Sequence, residues 1–131
     1  MATTYAATIS LGDTDAAGVL FFARLFDFVQ RAFEAHIGAR GLPIARCLSE
    51  GVFAPVVHAE ADYRTPLRLG DAITIESSVE SIGDSSVRMA YIVRKSDGAL
   101  AAEALVVHVC IGSDGRSVPV AEALREALAR A

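Results

Sequence analysis

Several things are scarce in this chain of 131 residues, and each scarcity closes off a class of protein. There are only two cysteines, Cys47 and Cys110, without the spacing of a metal site. A disulfide between them stays open on paper, but free, partly buried thiols in a cytoplasmic protein are expected. The three histidines lie far apart and lack spaced acidic partners, so no metal site is expected. Long apolar runs are missing as well. Ala16 to Ala23 falls far short of the ~20 residues that a membrane span needs. Met1 to Ser10 holds no Lys or Arg, which argues against a secretory signal. Net charge is −4 with the basic residues scattered, so the clustered positive face of a nucleic-acid binder is not expected. Proline is limited to four residues, and there is no linker, internal repeat or low-complexity tract.

What the chain does have is apolar residues, at 53% against the roughly 45–50% usual for globular domains. Its length suits one domain over 1–131. A small monomer has much surface to keep wet, so part of the apolar surface is expected to be covered by another subunit.

Tyr5 to Leu11 reads as a first strand, stopped by Gly12 and Asp13-Thr14-Asp15. Phe22, Phe26, Val29, Phe33 and Ile37 then recur at helical intervals, opposite Arg24, Asp27, Gln30, Arg31 and Glu34. This spacing predicts one amphipathic helix that Gly38 and Gly41 terminate. Leu42 to Glu50 suggests a short second helical piece. From Val52 the period becomes two. Val57, Ala59, Ala61 and Tyr63 form one apolar face, Ile73, Ile75 and Val79 a second, and Val87, Met89, Tyr91 and Val93 a third. Turns are marked at Pro66 with Gly70-Asp71, at Gly83-Asp84 and at Asp97-Gly98. Ala99 to Ile111 is apolar at nearly every position and should be buried on both faces. Ala121 to Ala131 is expected to form a terminal helix. The order implies an α+β fold: one long helix on a largely antiparallel sheet of about five strands. Such a sheet leaves an edge or face to pair with a second copy.

Chemistry concentrates in GDTDAAGVLFF, Gly12 to Phe22, which brings two carboxylates and a glycine to the foot of the helix. Unpaired N–H groups at a helix N-terminus favour a developing oxyanion, and an acid beside them can act on the polarised carbonyl. That acid would attack directly or take a proton from an attacking water. A thiol of pKa about 8.5 leaves near neutral pH without a strong acid's help, so this minimal machinery suits a thioester better than an amide. The same residues are also ordinary caps and turn formers. Spacing alone does not decide between the two.

GDTDAAGVLFF with Phe26, Arg31 and Glu34 resembles the hotdog thioesterases of the 4-hydroxybenzoyl-CoA thioesterase family, over nearly the whole chain. The resemblance implies a hotdog fold, with Asp15 catalytic and the backbone N–H of Phe22 contacting the thioester carbonyl. It also makes Gly18 the residue that lets the loop pass close to substrate. No cofactor is implied, coenzyme A being part of the substrate, and the partner subunits are expected to form a homodimer or homotetramer. Phe53-Ala54-Pro55-Val56-Val57-His58-Ala59, Ala61-Asp62-Tyr63 and His108-Val109-Cys110-Ile111 look more narrowly like the 1,4-dihydroxy-2-naphthoyl-CoA hydrolases of phylloquinone and menaquinone synthesis. Those enzymes carry an aromatic pair where Phe21-Phe22 stands. The Tol–Pal-associated branch, acting on short acyl-CoAs, usually has Tyr-His there, and the histidine is missing here. Phe21, Phe22 and Phe53 would line an apolar slot for a flat bicyclic acyl group.

The family's basic cluster for coenzyme A phosphates has no counterpart in the Gly83-Asp84-Ser85-Ser86 turn. Arg64, Arg68, Arg88 or a partner subunit must then supply those contacts. His58 belongs near the acyl pocket or dimer seam, or is simply a hydrogen-bonded strand histidine. His36 near the helix end would favour the negative dipole end. His108 is structural or close to the pocket rim. Glu34 is a second candidate acid, and the alternative reading of Arg31 with Glu34 is a surface pair at i, i+3. Three readings remain: an aromatic acyl-CoA thioesterase, a short-chain acyl-CoA thioesterase, and a non-catalytic binder or hydratase of the same fold. A hydratase would use a His with a facing acid, and no such pair has suitable spacing.

Overall fold

Alternating apolar residues build a five-stranded, wholly antiparallel sheet in the computed structural model, which describes residues 3–130. Met1, Ala2 and Ala131, the last of them the end of the expected terminal helix, lie outside the described residues. The strands are β1 (Thr3–Thr8), β2 (Val56–Tyr63), β3 (Ala72–Ile82), β4 (Ser86–Lys95) and β5 (Leu100–Val109). They lie in the order β1-β3-β4-β5-β2. Helix α1 (Arg24–Gly38) lies across the sheet, closest to β1 and β3, with α2 (Ile44–Ser49) and α3 (Glu122–Ala129) beside it. This is the expected α+β arrangement, the hotdog fold. Among the described residues no helix is long and apolar enough to cross a membrane.

The interior strands follow their sequence pattern. Val87, Met89, Tyr91 and Val93 of β4 are all buried on the helix side, beside Ile73 and Ile75 of β3. Strand β2 does not. It is an edge strand, exposed at every position but Ala61, because α1 sits toward the other edge of the sheet. A bulge between Val56 and His58 breaks its alternation, so Val57 is exposed rather than facing inward. Ala59, Ala61 and Tyr63 keep the helix-facing side, opposite Val106, Ala104 and Ala102.

Two boundaries move for non-local reasons. The first strand ends at Thr8 because Asp13 accepts hydrogen bonds from Ser10, backbone N–H (2.9 Å) and hydroxyl (2.8 Å), and so caps a 3-10 turn over Leu11–Asp13. Helix α1 begins at Arg24 rather than Phe22, since Phe21 is tied by its N–H to the Asp13 carbonyl at 2.8 Å. The buried face of the helix is wider than its predicted stripe. Val29, Phe33 and Ile37 of the stripe are buried together with Leu25, Phe28, Ala32 and His36, whereas Phe26 is half-buried and Phe22 exposed.

His36 is therefore not a surface cation at the dipole end. It is 1% exposed, and its Nδ1 lies 3.0 Å from the Ser77 hydroxyl. That hydroxyl donates to the Thr3 carbonyl at 3.2 Å, so it accepts from the Nδ1–H of His36. Burial, and then the nearby Arg40, push its pKa down to about 4. Arg31 lies over the Phe28 ring at 5.9 Å, and among the described residues it forms no ion pair with exposed Glu34.

Candidate active site

The loop from Asp13 to Phe22 is shaped by its own backbone. Thr14 bridges to Leu20, the Asp15 N–H donates to the Val19 carbonyl at 2.9 Å, and Gly18 closes the turn onto the Asp15 carbonyl at 3.0 Å. Gly18 has φ +80, which explains the glycine. Its side is open: a Cβ there would meet nothing within 4 Å in the chain. Val19 bridges to Arg68 and Leu20 donates to the Leu67 carbonyl at 2.7 Å, which docks the loop on the segment following β2.

The two carboxylates of the loop do different things. Asp13 is consumed by the Ser10 cap. Asp15 is held by one oxygen only: its Oδ1 accepts from the N–H groups of Ala17 (2.8 Å) and Val19 (3.4 Å). Among the described residues its Oδ2 has no hydrogen-bond partner. Asp15 lines a cleft of about 340 Å³ together with Phe22, Tyr63, Arg64, Pro66 and Ala101. No described residue accepts a hydrogen bond from the Phe22 N–H. The Phe22 carbonyl accepts from the Tyr63 hydroxyl, which pins the main chain at this point. Partial burial raises the Tyr63 pKa, so that hydroxyl stays a donor. The cleft thus joins a half-free carboxylate and an unpaired main-chain donor in a mostly apolar setting. That combination can hold and polarise a carbonyl and attack it.

The remaining site residues named from the sequence divide into those near the cleft and those away from it. Arg64 is in the cleft and paired with Glu103 (3.1 Å) and Asp62 (3.8 Å). Arg68 is exposed beside it, across the bridge from Val19. Phe21 packs edge-to-face on Phe22, centroids 5.0 Å apart, but does not line the cleft. Phe53 is elsewhere within the chain. It bridges to Ile111, about 30 Å beyond Ala102 at ~3.3 Å per strand residue. His58 sits opposite Val107 on the sheet face away from α1, 3.0 Å from Glu60, and does not reach the cleft. The Gly83–Ser86 turn, which lacks a positive charge of its own, receives one from α3: Arg125 donates to the Gly83 carbonyl at 2.9 Å. Among the described residues no three His, Cys, Asp or Glu side chains converge to hold a metal ion.

The model of the thioesterase-like superfamily matches residues 9–128. This chain belongs to that superfamily. Within it, a 1,4-dihydroxy-2-naphthoyl-CoA hydrolase from Synechococcus elongatus is 36% identical over 121 residues, covering 90% of this chain and 88% of that protein. The hydrolase of that name from Rippkaea orientalis is 36% identical over 126 residues, covering 93% and 91%. A crystal structure of a 1,4-dihydroxy-2-naphthoyl-CoA thioesterase from Synechocystis superposes with a TM-score of 0.90 at 25% identity, covering 98% of this chain and 96% of that one.

In this thioesterase-like chain, sequence reasoning passed over Tyr63 as a site residue. It was legible only as the last apolar position of β2, since its hydroxyl partner, Phe22, is distant in sequence. Tyr91 was likewise read as core alone. It is 1% exposed, and its hydroxyl has no hydrogen-bond partner among the described residues.

Proposed function

We propose that this protein hydrolyses an aromatic acyl-CoA thioester, 1,4-dihydroxy-2-naphthoyl-CoA, to the free acid and coenzyme A. One observation carries the reading: Asp15 is anchored through Oδ1, leaving Oδ2 free, in the cleft that is also lined by Phe22, whose N–H has no acceptor among the described residues. Relatives named for that hydrolysis support the choice of acyl group.

The thioester carbonyl oxygen takes the Phe22 N–H, which stabilises the oxyanion as the carbonyl carbon is attacked. Asp15 Oδ2 supplies the attack in one of two ways. As nucleophile it bonds to the carbonyl carbon and expels coenzyme A thiolate, leaving a mixed anhydride for water to open. As general base it takes the proton of a water whose oxygen forms that bond instead. Both end in the acid and the thiol. Arg64 and Arg68 lie beside the cleft, where an anionic coenzyme A would pass.

The working unit is a homodimer or a pair of dimers in the cytoplasm. The free edge of β2 exposes Val56, Val57 and Tyr63, an unpaired apolar strand of the kind that pairs with a second copy. Antiparallel pairing of two such edges sets the start of one β2 beside the end of the other. Phe53 of the partner subunit then approaches the Tyr63 end of the cleft, which would restore the aromatic slot that one chain does not form.

The test is thiol release from a panel holding 1,4-dihydroxy-2-naphthoyl-CoA, 4-hydroxybenzoyl-CoA and straight-chain acyl-CoAs. Preference for the naphthoyl ester, lost by about a thousandfold in Asp15→Asn, is the expected result. Release at the parent rate from Asp15→Asn would remove Asp15 from the chemistry. No release from any ester would make the protein a binder.

A further inference from the structure

Asp13 takes no part in the reaction proposed above, yet its contacts lead to the Phe22 main chain. Residues 13–15 and 19–21 form a short antiparallel ladder. The Phe21 N–H donates to the Asp13 carbonyl at 2.8 Å, Thr14 bridges to Leu20, and the Asp15 N–H donates to the Val19 carbonyl at 2.9 Å. Hydrogen bonds of this kind fix which residues stand opposite each other. Asp15 is at the turn end of the ladder, and Phe22 is the first residue beyond its open end. The ladder therefore sets the spacing between the free Asp15 oxygen and the next main-chain donor, the Phe22 N–H.

The two ends of the ladder are anchored by different groups. At the turn end, Val19 bridges to Arg68 and the Leu20 N–H donates to the Leu67 carbonyl, contacts in which Asp13 has no share. At the open end the anchor is buried Ile9. Its N–H donates to the Asp71 carbonyl at 2.9 Å, and its carbonyl accepts from the Gly70 N–H at 2.8 Å. Ser10 follows, and three hydrogen bonds join it to Asp13. The Asp13 N–H donates to the Ser10 carbonyl at 3.0 Å, and Asp13 Oδ2 accepts both the Ser10 N–H (2.9 Å) and its hydroxyl (2.8 Å). This closed ring fixes the backbone at Asp13, and with it the direction of the carbonyl that takes the Phe21 N–H. Both side-chain bonds fall on one oxygen. An amide oxygen, with two lone pairs, can accept the same two donors.

We infer that Asp13 is a positioning residue: by closing the ring with Ser10 it fixes the carbonyl that holds Phe21, and so places the Phe22 main chain relative to Asp15. What the position needs is an acceptor oxygen and not a negative charge, which separates its role from that of Asp15. Loss of the acceptor frees the open end of the ladder. The turn end, with Asp15, stays docked on Leu67 and Arg68. The effect therefore falls on the oxyanion donor, and so on kcat. This role rests on the thioesterase reading above and adds to it a residue that acts without lining the cleft.

Steady-state kinetics of Asp13→Ala and Asp13→Asn on the parent's best thioester test it. Asp13→Ala should lower kcat about tenfold with KM within about twofold, because the loss is felt as the oxyanion forms. Asp13→Asn should restore kcat to within about twofold of the parent, the acceptor being kept and only the charge lost. Equal losses in the two variants would make the carboxylate itself necessary and overturn the inference. Parent kinetics in Asp13→Ala, or a rise in KM alone, would overturn it too. If Asp13→Ala does not fold, Ser10→Ala, which removes only the hydroxyl bond, takes its place. A kcat about fivefold lower at constant KM is then expected, and parent kinetics overturn the inference. If the parent hydrolyses no ester, the thioesterase reading falls instead, and amide hydrogen exchange decides Asp13 alone. The Phe21 N–H should lose protection in Asp13→Ala while the Leu20 N–H keeps it, and unchanged protection of Phe21 overturns the coupling.

Discussion

The two flanks of α1 use similar residues to opposite ends. On one, Leu25, Phe28, Ala32 and His36 are buried, and the helix lies close to β1 and β3. On the other, Phe26, Phe33 and Ile37 line hollows that open toward β2, Phe33 and Ile37 being buried as well, and Phe22 lines the Asp15 cleft just before the helix begins. Protein interiors are close-packed, and unfilled apolar space costs stability. A groove left empty along a whole helix flank is therefore retained for what enters it. The histidines repeat the contrast. His36 is enclosed with Ser77 on the packed flank, whereas His108 faces the hollows.

The largest effect should come from exchanging the same residue type across the flanks. Phe28→Ala empties a position that is 3% exposed, and a loss of about 3–5 kcal/mol is expected by denaturant titration. Phe22→Ala removes a ring that is 64% exposed and should cost within about 0.5 kcal/mol. Its effect should fall on turnover of the aromatic ester. Equal destabilisation by the two changes would mean that the flanks are not distinct.

Much of this division was legible in the sequence, and what was missed has a common cause. The period of two through Val87, Met89, Tyr91 and Val93 marked β4 correctly, because local alternation determines which side of an interior strand is buried. The stripe of Phe22, Phe26, Val29, Phe33 and Ile37 marked a helix, and Val29, Phe33 and Ile37 are buried, but the stripe left out Leu25, Phe28, Ala32 and His36, which are buried beside them. Periodicity shows that a face is apolar, not which neighbour covers it. The motif pointed to Asp15, and the structure separates it from Asp13 by giving Asp13 to Ser10. His36 was misread because Ser77 is 41 residues away. Phe53 was named from its motif and its aromatic ring, and within one chain its bridge partner, Ile111, lies beyond the end of β5. The unpartnered hydroxyl of Tyr91 has no trace in the sequence at all.

The histidine on the packed flank gives the next prediction. Its pKa falls from 6.5 to about 4 on folding, so between those values the unfolded chain binds more protons than the folded one. Stability therefore falls as pH drops through 6.5 toward 4, and is intact above that window. At ~1.4 kcal/mol per pH unit, about 2 kcal/mol should be lost by pH 5. Denaturant midpoints at pH 7 and pH 5 measure this, and His36→Leu should flatten much of the decline. His108, also lowered by burial, accounts for what remains. A slope that persists in full in His36→Leu would show that the packed flank does not enclose a neutral histidine.

The smallest effect expected is at Tyr63, where the groove flank meets the chemistry. Its hydroxyl donates to the Phe22 carbonyl and so holds the main chain of a residue that lines the cleft. Tyr63→Phe removes that one bond and keeps the ring, and a net hydrogen bond is worth about 1 kcal/mol. If Tyr63 positions the donor, kcat should fall roughly fivefold with KM nearly constant, because the loss appears only when the oxyanion forms. A rise in KM at unchanged kcat would instead make Tyr63 a wall of the pocket. A drop in thermal midpoint with normal kinetics would make it a brace between the loop and β2. Only the kcat loss ties Tyr63 to the Phe22 N–H, and with it the edge strand to the reacting carbonyl.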